Sequence, residues 1–176
     1  MPILLTGLFA TWLVAGGPPA CSGELFRVTR NTNANVVVYE ARLVAPGVLD
    51  DREPVHPVWI MLAEDGRREE LNPFEAAMAY GVEVRRTEGG EAREIAVRAM
   101  PDLPIRIGLV DGCPTARTRI GGREATLRLV LVTATSGLIP EVVQVELVGV
   151  EGTNGIEVRE RTCPVDGPDG IPAPGA

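Results

Sequence analysis

From Gly81 to Arg159 the chain alternates apolar and polar residues in short runs, cut at regular intervals by glycine-bearing turns; a side-chain period of two fits consecutive hairpins, not helices. Gly89-Gly90 separates residues 82–86 from 93–98, and residues 105–109 lead through Asp111-Gly112 to 115–120. Gly121-Gly122 turns into 127–132, and Asn154-Gly155 joins 143–147 to 156–159. The spacing predicts a meander of about seven strands, each pairing with its sequence neighbour. Ile105, Ile107 and Leu109 should share one face with Arg106 on the other, and Leu127, Leu129 and Leu131 should oppose Arg128.

Three further strands are expected upstream, at 25–29, 36–43 and 55–62. This many antiparallel strands curl or split, since an open flat sheet leaves a wet face and two bare edges. The expected fold is therefore all-β, an antiparallel meander forming a barrel or a barrel-like sandwich. One short helix, about 73–80, interrupts it: Asn72-Pro73-Phe74-Glu75 supplies a cap, a first-turn proline and the acidic residue of a capping box, and Gly81 can close it. Phe74, Ala77 and Met78 fall on roughly one face, and a helix this short must lean on the sheet.

Residues 1–23 carry an uncharged apolar run from Ile3 to Val14, then small residues and prolines, the outline of a secretory signal peptide that is too short to span a bilayer comfortably. No Arg or Lys precedes Glu24, so either the leader is atypical or the true start lies upstream, and a buried first strand is the alternative reading. Cys21 sits where a lipoprotein would be lipidated, but Pro18, Pro19 and Ala20 lack the Leu such sites carry three positions upstream; cleavage after Ala20 or Gly23 is the simpler reading. Residues 24–163 then form a single β domain outside the cytoplasm, periplasmic or secreted, with residues 164–176 a flexible Gly/Pro-rich tail.

With the leader set aside, Cys113 and Cys163 remain, each followed by proline, and the even pair predicts a Cys113–Cys163 disulfide. With no CxxC pair and His56 the only histidine, a zinc site would be short of ligands, and neither metal nor cofactor is expected. A formal charge of −7 argues against nucleic acid, and a membrane becomes a partner only if Cys21 is lipidated. All seventeen basic residues are arginine, which excludes Schiff-base chemistry.

Outside the leader every aromatic ring and the histidine lie between Phe26 and Tyr80, so a ligand pocket is expected to be lined from this segment, with the back half as scaffold. The stretch FRVTRNTNANVVVYEARL followed by PVHPVWIMLAEDGRREELNPFEAAMAYGV resembles the bacterial domain-of-unknown-function family 4833, in an Asn-rich strand ending VVVY, an HPVW strand, a DG turn and an LNPFE-type helix. The resemblance implies a shared domain and carries over no catalytic residue.

His56 is the obvious acid/base candidate, though strand alternation sets it among apolar residues on both faces, which also suits a hydrogen-bonded core or rim histidine. Ser22 and Ser136, the only serines, lack a nucleophile setting. Glu64, Asp65, Glu69, Glu70 and Glu75 cluster near the turn and helix, where caps and solvated turns account for them as readily as glycoside chemistry does. Arg27, Arg30, Asn31, Asn33 and Asn35 could read an anion or a sugar, or simply cap their own turns. The leading expectation is a noncatalytic binding module for a small ligand or an envelope component, its site lined by Tyr39, His56, Trp59 and Tyr80 with Arg30 as an anion anchor. The competing expectation is a cell-envelope hydrolase using His56 and a nearby carboxylate such as Glu69 or Glu75. A purely structural envelope protein, without a cavity, is the third.

Overall fold

The computed structural model describes residues 21–86, 93–137, 141–152 and 155–163. Among the described residues there are thirteen strands, eleven of them in one large curled mixed sheet that forms a half-barrel. The front of the chain gives β1 (Glu24–Arg30), β2 (Asn33–Ala41), a small hairpin of β3 (Leu43–Ala45) and β4 (Val48–Leu49), β5 (Val55–Met61) and β6 (Arg67–Glu70). The back gives β7 (Val82–Arg86), β8 (Arg93–Val97), β9 (Met100–Val110), β10 (Cys113–Ile120), β11 (Arg123–Ala134), β12 (Val142–Glu151) and β13 (Ile156–Thr162). From β7 to β13 each strand pairs antiparallel with the next, as the turn spacing predicts. Asp111 and Gly112, like Gly121 and Gly122, have positive φ, the conformation a two-residue hairpin turn needs and glycine adopts without strain. The Gly89-Gly90 turn, the leader up to Ala20, Asn154 and the tail from Pro164 lie outside the described residues.

One pairing departs from a pure antiparallel meander. β11 is long enough to serve two partners on a single edge: Arg123–Thr126 pair with β10, and Leu129–Val132 pair in parallel with β1, while β12 runs along the other edge. β11 is therefore a fork from which a front arm (β1-β2-β5-β6) and a back arm (β10-β9-β8-β7) diverge. At the fork the β11–β12 register shifts between Leu127 and Leu129. The bulge at Arg128 overturns the expected Leu127-Leu129-Leu131 face: Leu127 and Val130 are fully buried, whereas Leu129 and Leu131 are only partly so. Gly149 sits beside this crossing, where a Cβ would stand 2.6 Å from Ile120 Cδ1 and 2.7 Å from the Thr126 carbonyl oxygen.

The two arms close on one core, with Leu25, Phe26, Val37 and Tyr39 from the front meeting Ile95, Ile105, Ile107, Ile120, Leu127 and Val130 from the back. Leu109, expected to continue the Ile105-Ile107 face, lies at the β9–β10 hairpin end and is exposed. A second, smaller cluster of Val36, Val38 and Val58 lies apart from this core.

The cysteine pairing differs from expectation. Cys113 is bonded to Cys21, with Cα atoms 5.2 Å apart, and Cys163 is free and exposed. Discounting Cys21 as part of a leader hid it; the chain before β1 runs to the start of β10, while Cys163 follows β13 at the opposite side of the meander order. The bridge gives Cys21 a structural role in the domain, so cleavage after Gly23 would remove half of it. Among the described residues no helix is long and apolar enough to cross a membrane.

Candidate functional site

The helix forms where the sequence predicts, but its sides are reversed. α1 (Pro73–Glu75) opens on a full capping box, Glu75 N–H donating to Asn72 Oδ1 at 2.9 Å and Asn72 N–H to Glu75 Oε2 at 3.1 Å. It continues as a π-helical turn over Ala76–Tyr80, closed by Gly81 N–H donating to the Ala76 carbonyl, a turn so tight that a Cβ on Gly81 would overlap that carbonyl. Phe74, 73% exposed, and Met78, 63% exposed, face solvent instead of the sheet. What anchors the segment is Trp59 Nε1 donating to Glu75 Oε2 at 3.1 Å at one end and the burial of Tyr80 at the other.

The front-segment rings do meet, but mostly as core. Phe26 and Tyr39 stack with centroids 4.4 Å apart, both fully buried, and Trp59 meets Tyr80 edge to face at 5.1 Å. Tyr39 Oη donates to the Tyr80 carbonyl at 2.9 Å, and burial, with Tyr80 nearby, pushes the Tyr39 hydroxyl far above the usual tyrosine range. Tyr39 thus cannot touch a ligand in this structure. Of the five expected site residues only Tyr80 and Arg30 line the large cavity, and Arg30 Nη1 donates to Tyr80 Oη at 3.1 Å.

His56 is separated from them. It sits three positions from Trp59 on a two-residue period, hence on the opposite face of β5, across from Glu40 on β2. Its ring lies 3.1 Å from the Glu70 carboxylate, which is 74% exposed, so the pair is a surface contact. Arg68 holds Glu40 on the same face, and its hydrogen bond lowers the Glu40 carboxyl below the ordinary range against the opposing effect of burial. Glu75 is with Trp59 and the helix cap, and Glu69 is paired to Arg67. The carboxylate against His56 is thus Glu70, on the exposed face of the sheet, and not Glu69 or Glu75.

A pocket of about 250 Å³ lies against Trp59, bounded by Asn33, Asn35, Glu69, Asn72 and Glu75; Asn35 Oδ1 is buried there without a partner. The larger space is a trough of about 870 Å³. Val28 on β1, Val132 on β11 and Val145 and Leu147 on β12 contribute from adjacent strands, since Val28 pairs with Val130, and Leu147 and Val145 pair with Val130 and Val132. Val97 on β8 and Met100 and Leu103 on β9 also line it. Arg30 with Tyr80, and Arg106, Arg117 and Arg119 with Glu124, supply charge, and the free Cys163 also borders it.

The sequence reading expects front-segment rings around the pocket; Trp59 lines the smaller pocket, while aliphatic and arginine-bearing strands of the back half line most of the trough. The reason is packing, because Phe26 and Tyr39 fill the junction of the two arms and leave no ring surface free there. The signal available in sequence was the Val145-x-Leu147 alternation beside the Arg117-x-Arg119 pair. A family model described as Domain of unknown function (DUF4833) matches residues 26–161. No curated protein and no solved structure matches the chain.

Proposed function

The chain belongs to the DUF4833 family, whose description assigns no activity, and on that premise we propose that it is a noncatalytic extracytoplasmic binding module whose ligand lies in the trough. The observation that carries this reading is the trough itself. Space of about 870 Å³ falls in the range of small-molecule sites, roughly 300–1,000 Å³. Its aliphatic lining would contribute several kcal/mol to stability if filled by the protein's own side chains. A contiguous aliphatic surface left open in this way marks a ligand or interaction site. The Cys21–Cys113 bridge and the Ile3 to Val14 run support the compartment, since disulfides persist where the medium is oxidising. Binding without catalysis is favoured because the chain's only histidine is on the other face of β5 and the trough holds no serine.

The test is occupancy. A solvatochromic amphiphilic dye such as the sulfonate ANS should bind with saturable, one-site behaviour, and Val145→Trp, which places a large ring in the trough, should abolish binding while leaving the far-UV CD and melting curve near wild type. Dye binding that is absent, or unaffected by Val145→Trp, refutes the reading.

A further inference from the structure

We propose that the trough takes a single-chain amphiphile with an anionic head, its aliphatic tail along Val28, Val132, Val145 and Leu147 and its head group on Arg106 and Arg117. This rests on the reading of the trough as the ligand site and names what fills it.

The head-group assignment comes from the arginines that border the trough. Arg106 and Arg117 stand directly opposite each other across the β9–β10 ladder, and like charges at directly opposed positions destabilise a sheet. Arg119 follows on the same side of β10. Among the described residues Glu124 stands opposite Arg119 and 3.9 Å from Arg106, Glu94 stands opposite Arg106 across the β8–β9 ladder, and Asp102 also lines the trough. Among the described residues Arg117 has neither an ion-pair nor a hydrogen-bond partner, and Glu160, which also borders the trough, accepts a hydrogen bond from Gly121 N–H instead. Two facing guanidiniums with one spare donor fork are suited to a carboxylate or phosphate, which accepts paired N–H bonds from such forks.

The tail assignment comes from the lining. Apart from Tyr80, already engaged by Arg30, no aromatic ring reaches the trough, so stacking of a flat ring has little to work with. Valine, leucine and methionine along adjacent strands offer a continuous aliphatic surface, which discriminates by methylene count. A chain with a charge at one end meets both halves of the site.

The experiment is displacement of ANS from the full chain by matched series: straight-chain carboxylates, the alcohols of the same lengths, and lysophosphatidic acid. Carboxylates should tighten about fourfold per added methylene until the trough is filled. They should bind more tightly than the alcohols, and Arg117→Gln should weaken them about tenfold while leaving the alcohols unchanged. Unliganded Arg117→Gln should melt no lower than wild type, because it relieves the repulsion from Arg106. A preference for the lysophosphatide that Arg117→Gln removes identifies phosphate as the head; a preference for carboxylate identifies a fatty acid. Equal binding of carboxylates and alcohols, both blocked by Val145→Trp, overturns the anionic head and leaves the trough reading standing. Displacement indifferent to chain length overturns the tail. Failure of ANS itself to bind overturns the trough reading instead.

Discussion

Serine at Cys21 or Cys113 removes the covalent tie between the segment before β1 and the start of β10, which are 92 residues apart in sequence. In the chain-entropy account a ring of that size restricts the unfolded chain by about 4.6 kcal/mol at room temperature. For an ordinary urea dependence of about 2 kcal/mol per molar, the unfolding midpoint should fall by roughly 2 M, a large part of the stability of a domain this size. Protein retaining Cys21 and folded under oxidising conditions should be unfolded in urea beside Cys21→Ser, Cys113→Ser and the double variant. Because both single changes open the same ring, the double variant should be no less stable than either single one. Cys163→Ser, changing an exposed thiol, should leave the midpoint within experimental error. The reasoning fails if Cys163→Ser costs as much as Cys113→Ser, or if peptide mapping without reductant links Cys113 to Cys163.

Other outcomes follow from single positions. Gly149→Ala should destabilise by about 1–3 kcal/mol in the same unfolding assay, since its Cβ would press on Ile120 and the Thr126 carbonyl at the β11–β12 crossing. Phe74→Ser should change stability by less than about 0.5 kcal/mol, because the ring is mostly in solvent; a loss of several kcal/mol would put it back in the core. Tyr39→Phe leaves the Tyr80 carbonyl without its buried donor and should cost about 1–3 kcal/mol at neutral pH. Since folding raises the Tyr39 hydroxyl above its unfolded value, its contribution is intact below about pH 10 and drains away as pH rises beyond it. With no lysine to titrate there, stability measured from pH 9 to 11 should fall in wild type and fall less steeply in Tyr39→Phe; parallel curves would refute the assignment.

The back half was legible because each of its turns carries its own chemistry. Asp111-Gly112 and Gly121-Gly122 specify positive φ locally, and neighbouring strands then pair without information from elsewhere. Asn72 and Glu75 announced the helix for the same reason. What failed depended on distance. The β1–β11 parallel pairing joins residues from the two ends of the domain, and no local signal marks it. The Arg128 bulge reverses a face that strict alternation extends, and nothing in Leu-Arg-Leu-Val shows where the register slips. Cys21 was discounted on its position near the leader, so the only remaining pair was chosen. His56 is a different case: its parity with Trp59 places the two on opposite faces of β5, which grouping them by residue type leaves out of account.

The fork at β11 also sets an order of events while the chain is being made. β1 and β2 can form a hairpin as soon as they emerge, but the edge on which β1 must dock is not synthesised until roughly a hundred residues later, and such long loops are slow to close. The front arm must therefore wait, its edge unsatisfied, while the back meander can fold sequentially from local pairings. Because the last strand to complete the fork also brings Cys21 near the start of β10, oxidation of that pair reports the docking of the arms and not the formation of either one. Trapping thiols at intervals during refolding would consequently time the slowest step of assembly, with the seven-strand meander already protected from hydrogen exchange before Cys21 and Cys113 become inaccessible to the trap.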